Sequence, residues 1–340
     1  VSMIVGFSLG AIVSTTVLPF LIELPRSPVK RPFIYLPYCT SNVKDKVIEF
    51  ETGNVLIGSV SRLYMSNKCL LIADHKSVDK QIHIFNKNDF SYLTSIGNFG
   101  EGPEEITVMG CLAIDEAHHQ LYVSDHAKQK IFSYDMDSVM VDSLYKPQVK
   151  TAMNETLFPS EYQYINDTLS IAVLIKPTST STFNQFLGRW NMNTGEMIPM
   201  KYTHPDIQKK RITFAASEKA GIYVECYTRH DLMTICSLDG ELLYNIYGPD
   251  WDGGNGNKLQ SFGTVMIGND KIFVSYCGED YARDSFPTKI LVFDLEGNYL
   301  KTLETGYKIS DCCYDSFNNR IILSLNDVVQ FAYLDIDGII

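Results

Sequence analysis

The chain has 340 residues, 45% of them hydrophobic and 12% aromatic, enough to bury a large core. Its formal net charge is −11, and its 29 lysines and arginines form no dense run. Nucleic acids and anionic membrane surfaces demand clustered cations, so neither is an expected partner.

The first element is an apolar run. Met3 to Ile22 carries no charge and is long enough to cross a bilayer. Residues 1–28 read as a signal sequence or membrane anchor, and 29–340 as the folded domain. Arg26, Lys30 and Arg31 follow the run and no Lys or Arg precedes it, an order that is the reverse of a secretory signal and favours an outside N-terminus. The expected location is exported, periplasmic or anchored. A G-x-S-x-G match at Gly6–Gly10 falls inside this run without a strand–turn–helix context, so it is not read as a nucleophile motif.

Next comes a segment from about Phe33 to Phe50 with two strand-like pieces, "FIYL" and "KVIEF". Beyond it a pattern repeats. An apolar-aromatic run ending in Asp or Asn occurs six times, closing at Asn86, Asp135, Asn191, Asp239, Asp294 and Asp335. The interval is about 50 residues, near the period of propeller blades. Glycine follows closely at Gly195, Gly240 and Gly297, as a tight hairpin requires. Ahead of each run lies another short one: "CLLIAD" (69–74), "QLYVSD" (120–125), "TLSIAV" (168–173), "GIYVEC" (221–226), "KIFVSY" (271–276) and "RIILSL" (320–325). A preceding run such as "GCLAID" and a following one such as "YLTSIG" make four short strands per repeat. The expected fold is all-β: a six-bladed β-propeller of four-stranded antiparallel blades. After "FAYLD" too little chain remains for a fourth strand, so the segment before Phe50 is expected to supply it and close the ring.

The connector "GNFGEGPEE" (97–105) is dense in glycine because a crossover between blades must turn sharply. From Ser95 to Asp135 the chain resembles NHL-type propeller repeats: Gly100-Glu101-Gly102-Pro103-Glu104-Glu105, then Leu112–Asp115, Leu121–Asp125 and Ile131–Asp135 match their connector and strands. From "NVLIGSVSRLYM" (54–65) onward the chain resembles the bacterial TolB-like six-bladed propeller family. That resemblance implies a propeller, often exported, with no assigned activity for most members. Departures are a Ser/Thr-rich insertion at 174–187 and a long "CGEDYARDSFP" in the fifth repeat.

Crossovers and the loops joining second and third strands share one face of a propeller, where function concentrates. His75, His126 and His230 fall in such loops. With Glu101, Glu104 and Glu105, His75 and His126 form a candidate acidic-plus-imidazole patch; the alternative is that Asp74 and Asp125 cap turns and the histidines are neighbours. "YGPDWDGGNGNKLQ" resembles a calcium loop through Asp250, Asp252, Asn255 and Asn257, but Gly254 and Ser261 break the EF-hand pattern. Tyr281, Arg283 and Asp284 are candidates for partner contact. The eight cysteines read as small buried hydrophobes, with Cys226 and Cys236 a candidate bridge across one hairpin. Asn154 and Asn166 begin N-x-T triplets.

No strong catalytic motif is present, so no catalytic residue is assigned. The expected function is a non-enzymatic binding module, monomeric, without a cofactor, recognising a protein or small ligand on its loop face. The alternative is a metal-dependent hydrolase or lactonase similar to gluconolactonase-type propellers, with calcium as the metal. Against it, Pro103 to Leu121 has the longer NHL-like spacing.

Overall fold

Runs rich in Ile, Val, Tyr and Phe favour a pleated, half-buried surface, and here they pair as antiparallel ladders. The computed structural model describes residues 29–32, 39–142, 144–179, 181–256, 259–283 and 285–340. Blade one holds strands Ser61–Met65, Cys69–Asp74, Lys80–Asn86 and Tyr92–Asn98. Blade two holds Met109–Asp115, Gln120–Asp125, Lys130–Asp135 and Gln148–Ala152. Blade three holds Phe158–Asn166, Leu169–Pro177, Phe183–Trp190 and Met197–Pro199. Blade four holds Ile212–Ser217, Ile222–Tyr227, Leu232–Ser237 and Leu242–Tyr247. Blade five holds Leu259–Gly268, Lys271–Asp280, Lys289–Asp294 and Tyr299–Glu304. Blade six holds Ile309–Asp315, Arg320–Leu325 and Phe331–Asp335, and takes its outer strand, Val47–Glu49, from the beginning of the chain. The molecule is a six-bladed β-propeller.

Closure follows the expected route. Val47, Ile48 and Glu49 stand opposite Leu334, Tyr333 and Ala332. The chain arrives there along the outer rim. Val29–Pro32 lies parallel to the outer strand of blade four, and Thr40–Asn42 parallel to that of blade five. These fifth strands go beyond the sequence expectation, and "FIYL" (33–36) and the run Met3–Ile22 lie outside the described residues. Among the described residues no helix is long and apolar enough to cross a membrane.

The core is divided by seams rather than gathered at one centre. Six apolar clusters each join two neighbouring blades; Leu71, Ile82 and Ile84 of blade one pack with Leu112, Val123 and Phe132 of blade two, for example. Each fully buried aliphatic side chain contributes about 1.5–3 kcal/mol, so every seam is worth many such increments. The insertion at 174–187 is a lengthened hairpin, with Pro177 opposite Phe183. The long fifth-repeat segment likewise extends its strand to Asp280. All eight cysteines are free. Cys226 stands opposite Met233 and Cys236 opposite Tyr223, so the hairpin register separates the two and the candidate bridge is not formed. Asn154 and Asn166 each accept from a backbone N–H two residues on, which is turn chemistry.

The seam between blades six and one carries a charged lock. Asp315, fully buried, accepts from Lys87 Nζ at 3.3 Å and from Arg320 Nε at 3.3 Å. Arg320 also donates to the Lys87 carbonyl, and its guanidinium stacks over Phe90 and Tyr333. Phe90 in turn stacks on Phe50 with centroids 3.8 Å apart. Burial works against the Asp315 carboxylate, but hydrogen bonds from Asn318 and the charge of Lys87 outweigh it and hold its pKa below the ordinary value.

Removing this carboxylate strands two buried cations. Asp315→Ala should therefore cost about 3–5 kcal/mol in urea denaturation. A loss below about 1 kcal/mol would contradict the lock. Because the folded pKa is depressed, the contribution is complete above the ordinary value of about 3.9 and disappears as pH falls through the folded value.

Candidate functional site

Strand direction sorts the loops. Crossovers between blades and the loops joining second to third strands lie on one face, here the crossover face; the remaining loops form the hairpin face.

On the crossover face the first crossover is built from within. Gly97 has φ +74°, a conformation that L side chains rarely adopt. Glu105 turns inward: its Oε2 accepts from Gly102 N at 2.8 Å, and its carboxylate fills the space that side chains at 100 and 102 would need. Lys128 reaches back and donates to the carbonyls of Gly102 at 2.6 Å, Glu105 at 2.5 Å and Gly100 at 3.3 Å. Asp125, fully buried, accepts from the backbone N–H of Thr107, Val108, Ala127 and Lys128. Asp74 does the same for Gly58 and Lys76 in blade one. These aspartates cap turns and tie each crossover to its blade. Glu104 pairs with Lys146 at 2.7 Å, and Glu101 is exposed. Glu105 is thus held within the crossover and Glu104 points to Lys146.

His75 and His126 are brought to the same strand. His75 N donates to the Val60 carbonyl and His126 N to the Val108 carbonyl. The His75 ring then reaches into blade two, with Nδ1 at 3.2 Å from the Met109 carbonyl. A carbonyl only accepts, so Nδ1 carries the proton and Nε2 bears a lone pair in the neutral ring. The His126 ring lies against Gly110, where a side chain would collide with it, and edge-on to Phe158 at 6.0 Å. A β-bulge between Met109 and Leu112 opens the strand at this point. Among the described residues the Nε2 atoms of both histidines are buried without a hydrogen-bond partner.

Two further residues complete the constellation. Arg62, on the first strand of blade one, reaches Glu161, on the first strand of blade three, at 2.8 Å, bridging the two blades that flank blade two. Arg62 acts electrostatically on His75, and Glu161 on His126. Burial lowers the pKa of both imidazoles, and the Arg62 charge lowers that of His75 further, so both rings are neutral at pH 7. The result is a polar cluster on the first strands of blades one to three: two neutral imidazoles beside a guanidinium–carboxylate pair. Cys111, at the same strand, is no nucleophile, because burial pushes its thiol up to about 12. Sequence reasoning found the histidines through their loop position. It missed Arg62 and Glu161, which stand 99 residues apart with no shared pattern.

The other candidates lie elsewhere on this face. Asp252 spends its carboxylate on the N–H groups of Gly254 and Gly256, and Asn255 donates to the Asp252 carbonyl; Asn257 is outside the described residues. Asp250 donates its own N–H to the buried Asp231, whose carboxyl burial pushes up to about 6. His230, in the same blade, packs edge-on to Tyr227 and against Trp251. Tyr281 lies under the Arg229 guanidinium at 4.2 Å, and Arg283 pairs with Glu279; Asp284 is outside the described residues.

Comparison with known proteins agrees on the fold. A family model described as a 6-bladed beta-propeller matches residues 41–184. No curated protein matches the sequence. Among solved structures, a protein from Bacteroides fragilis described as exported is 14% identical with a TM-score of 0.56, over 87% of this chain and 88% of that one. A member of the duf4221 family from Bacteroides vulgatus is 10% identical with a TM-score of 0.57, over 84% and 94%. The Cps50 (Swd1) beta-propeller domain from Myceliophteria thermophila is 10% identical with a TM-score of 0.52, over 83% and 98%. At such identities the likeness is one of fold. The chain is thus a β-propeller by sequence model, by topology and by structural likeness.

Two outcomes test this geometry. Lys128→Ala exposes three carbonyls to a weaker solvent compensation, and should cost about 1–3 kcal/mol in urea unfolding while speeding amide exchange in residues 99–107. Unchanged exchange there would contradict the assignment. The histidines give a pH signature. Their folded pKa values are depressed below about 6.5, so their contribution is full above that pH and is lost as pH falls through the folded values. His75→Gln with His126→Gln should flatten the fall of Tm between pH 7 and 5; a slope equal to wild type would show that neither ring is held neutral.

Proposed function

We propose that this chain is a non-enzymatic binding propeller that receives a polar ligand at the polar cluster of its crossover face. The observation that carries the reading is the pair of buried imidazole Nε2 atoms without partners beside Arg62 and Glu161. A buried polar atom left unpaired costs about 1–3 kcal/mol, and a ligand bearing hydroxyl or amide groups recovers it, with His75 Nε2 as the acceptor. A second observation favours a polypeptide as that ligand. Leu56, Val60, Val78, Val108 and Val328 are exposed, and all lie on crossover-face loops of blades six, one and two. Gln330 ties two of these loops together by donating to the Ile57 and Gly58 carbonyls. An apolar rim around a polar centre suits an extended segment whose N–H groups meet the imidazoles. Tyr281 and Arg283 extend the contact toward blade five.

In this reading the protein is a TolB-like propeller with NHL-type repeats, supported by the connector and strands from Gly100 to Asp135. It acts outside the cytoplasm, supported by the charge-free run Met3–Ile22, with residues 1–28 as leader or anchor. It works as a monomer and without a catalytic metal.

The test is a thermal-shift panel of oligosaccharides, short peptides, lactones and calcium. A ligand at one hundred times its Kd should add about 2.7 kcal/mol of stability. The reading requires that a peptide or polyol hit be lost in Arg62→Ala and in the His75→Gln, His126→Gln variant. Hits indifferent to these substitutions would place binding elsewhere. Calcium-dependent lactone turnover would establish the hydrolase alternative instead.

A further inference from the structure

The hairpin face carries a second constellation that the polar cluster does not use. Asp115 ends the first strand of blade two, His118 lies in the turn that follows, and Asp167 lies in the corresponding turn of blade three. His118 Nδ1 stands 2.8 Å from Asp115 Oδ2 and 3.8 Å from Asp167 Oδ1. All three donor atoms lie within 4.8 Å of one another. We propose that Asp115, His118 and Asp167 form a binding site for a divalent transition metal of the zinc class, bridging blades two and three.

The donor distances decide first. Ligand atoms about 2.1 Å from a tetrahedral ion lie about 3.4 Å apart. The separations of 2.8 and 3.8 Å bracket that value, so shifts of a few tenths of an ångström suffice. One imidazole with two carboxylates suits zinc, cobalt or manganese better than the all-oxygen shell that calcium takes.

Both carboxylates are already aimed. Tyr122 donates to Asp115 Oδ2 at 3.2 Å, and Tyr164 donates to Asp167 Oδ1 at 2.7 Å. Outer donors of this kind fix ligating carboxylates. A cleft of about 400 Å³, lined also by Gln120 and Gln148, adjoins the three residues and leaves room for water or an exogenous ligand on the open side.

Blade six supplies an internal control. There Asp315 caps the same turn through the N–H groups of Phe317 and Asn318, and the Asn318 amide donates to its carboxylate at 2.7 Å. The turn therefore works with asparagine at this position. His118 is not needed for the turn; it adds a nitrogen donor, and Asp167 of the next blade adds a second carboxylate. One neighbour opposes a cation: Lys150 lines the cleft, with its ammonium 5.5 Å over the Tyr122 ring.

The experiment is calorimetric titration of the metal-free full chain with zinc chloride. Wild type should bind one zinc per chain. His118→Asn copies the blade-six arrangement, keeps the bond to Asp115, and should weaken zinc binding at least tenfold with the metal-free Tm unchanged. Asp167→Asn, at an exposed side chain, should do the same, and Lys150→Ala should tighten binding. The His75→Gln, His126→Gln variant should bind as wild type does. Absence of saturable binding in wild type, or equal binding in His118→Asn and Asp167→Asn, would overturn the proposal, since zinc would then sit on other side chains.

Discussion

Everything in this molecule rests on the joint between its last blade and its first. A ring of separate sheets has no central core; each sheet is stabilised by its two neighbours, and an unclosed ring would leave two apolar sheet faces in water. Closure here has two parts. Val47–Glu49 completes the sixth sheet by backbone pairing. Asp315 then binds Lys87 of blade one and Arg320 of blade six on the hairpin side of the same seam. The strand pairing is non-specific in sequence, whereas the buried charges demand one register. The ions sit in a seam that apolar residues such as Phe85 and Ile322 otherwise fill, and their mutual pairing with the bond from Asn318 offsets the cost of burying them.

A closed ring has a mechanical consequence for the crossover face. Its loops span sheets that cannot move apart, so small capping interactions set their shapes. Asp74 and Asp125 hold the loops that carry His75 and His126, and Lys128 holds the carbonyls of the neighbouring crossover. The two imidazoles therefore owe their position to buried aspartates beside them in sequence. Burial keeps them neutral, and the Arg62–Glu161 pair supplies charge without net charge. Asp231 shows the opposite response to the same physics in blade four: burial, reinforced by the Asp250 charge, pushes its carboxyl up to about 6 and outweighs the hydrogen bonds from the Asp250 N–H and Tyr276, which act to lower it.

The fold was largely legible because propeller strands are short, regular and bounded by Asp, Asn and Gly. "CLLIAD", "QLYVSD" and "RIILSL" coincide with observed second strands. "KVIEF" contains the closing strand, because a missing outer strand can be counted. The parallel rim strands Val29–Pro32 and Thr40–Asn42 were not legible: three or four residues show no period, and their pairing depends on how the chain wraps the finished ring. The site was legible only in part. Loop position singled out His75 and His126. Glycine and glutamate density drew attention to residues 100–105, where Glu105 proves to be internal scaffolding. Arg62 and Glu161 meet only between blades one and three, and His118 meets Asp167 only across a seam. Such contacts are set by the circular order of blades, which linear spacing does not encode.

The central claim is that the polar cluster of the crossover face is a receptor for hydrogen-bond donors. A high-resolution crystal structure of the purified full chain tests it most directly. The account predicts non-protein density, ligand or ordered water, at Nε2 of His75 and of His126, with Arg62 and Glu161 still paired beside it. Both Nε2 atoms hydrogen-bonded to protein groups, with loop side chains sealing the cluster, would contradict it.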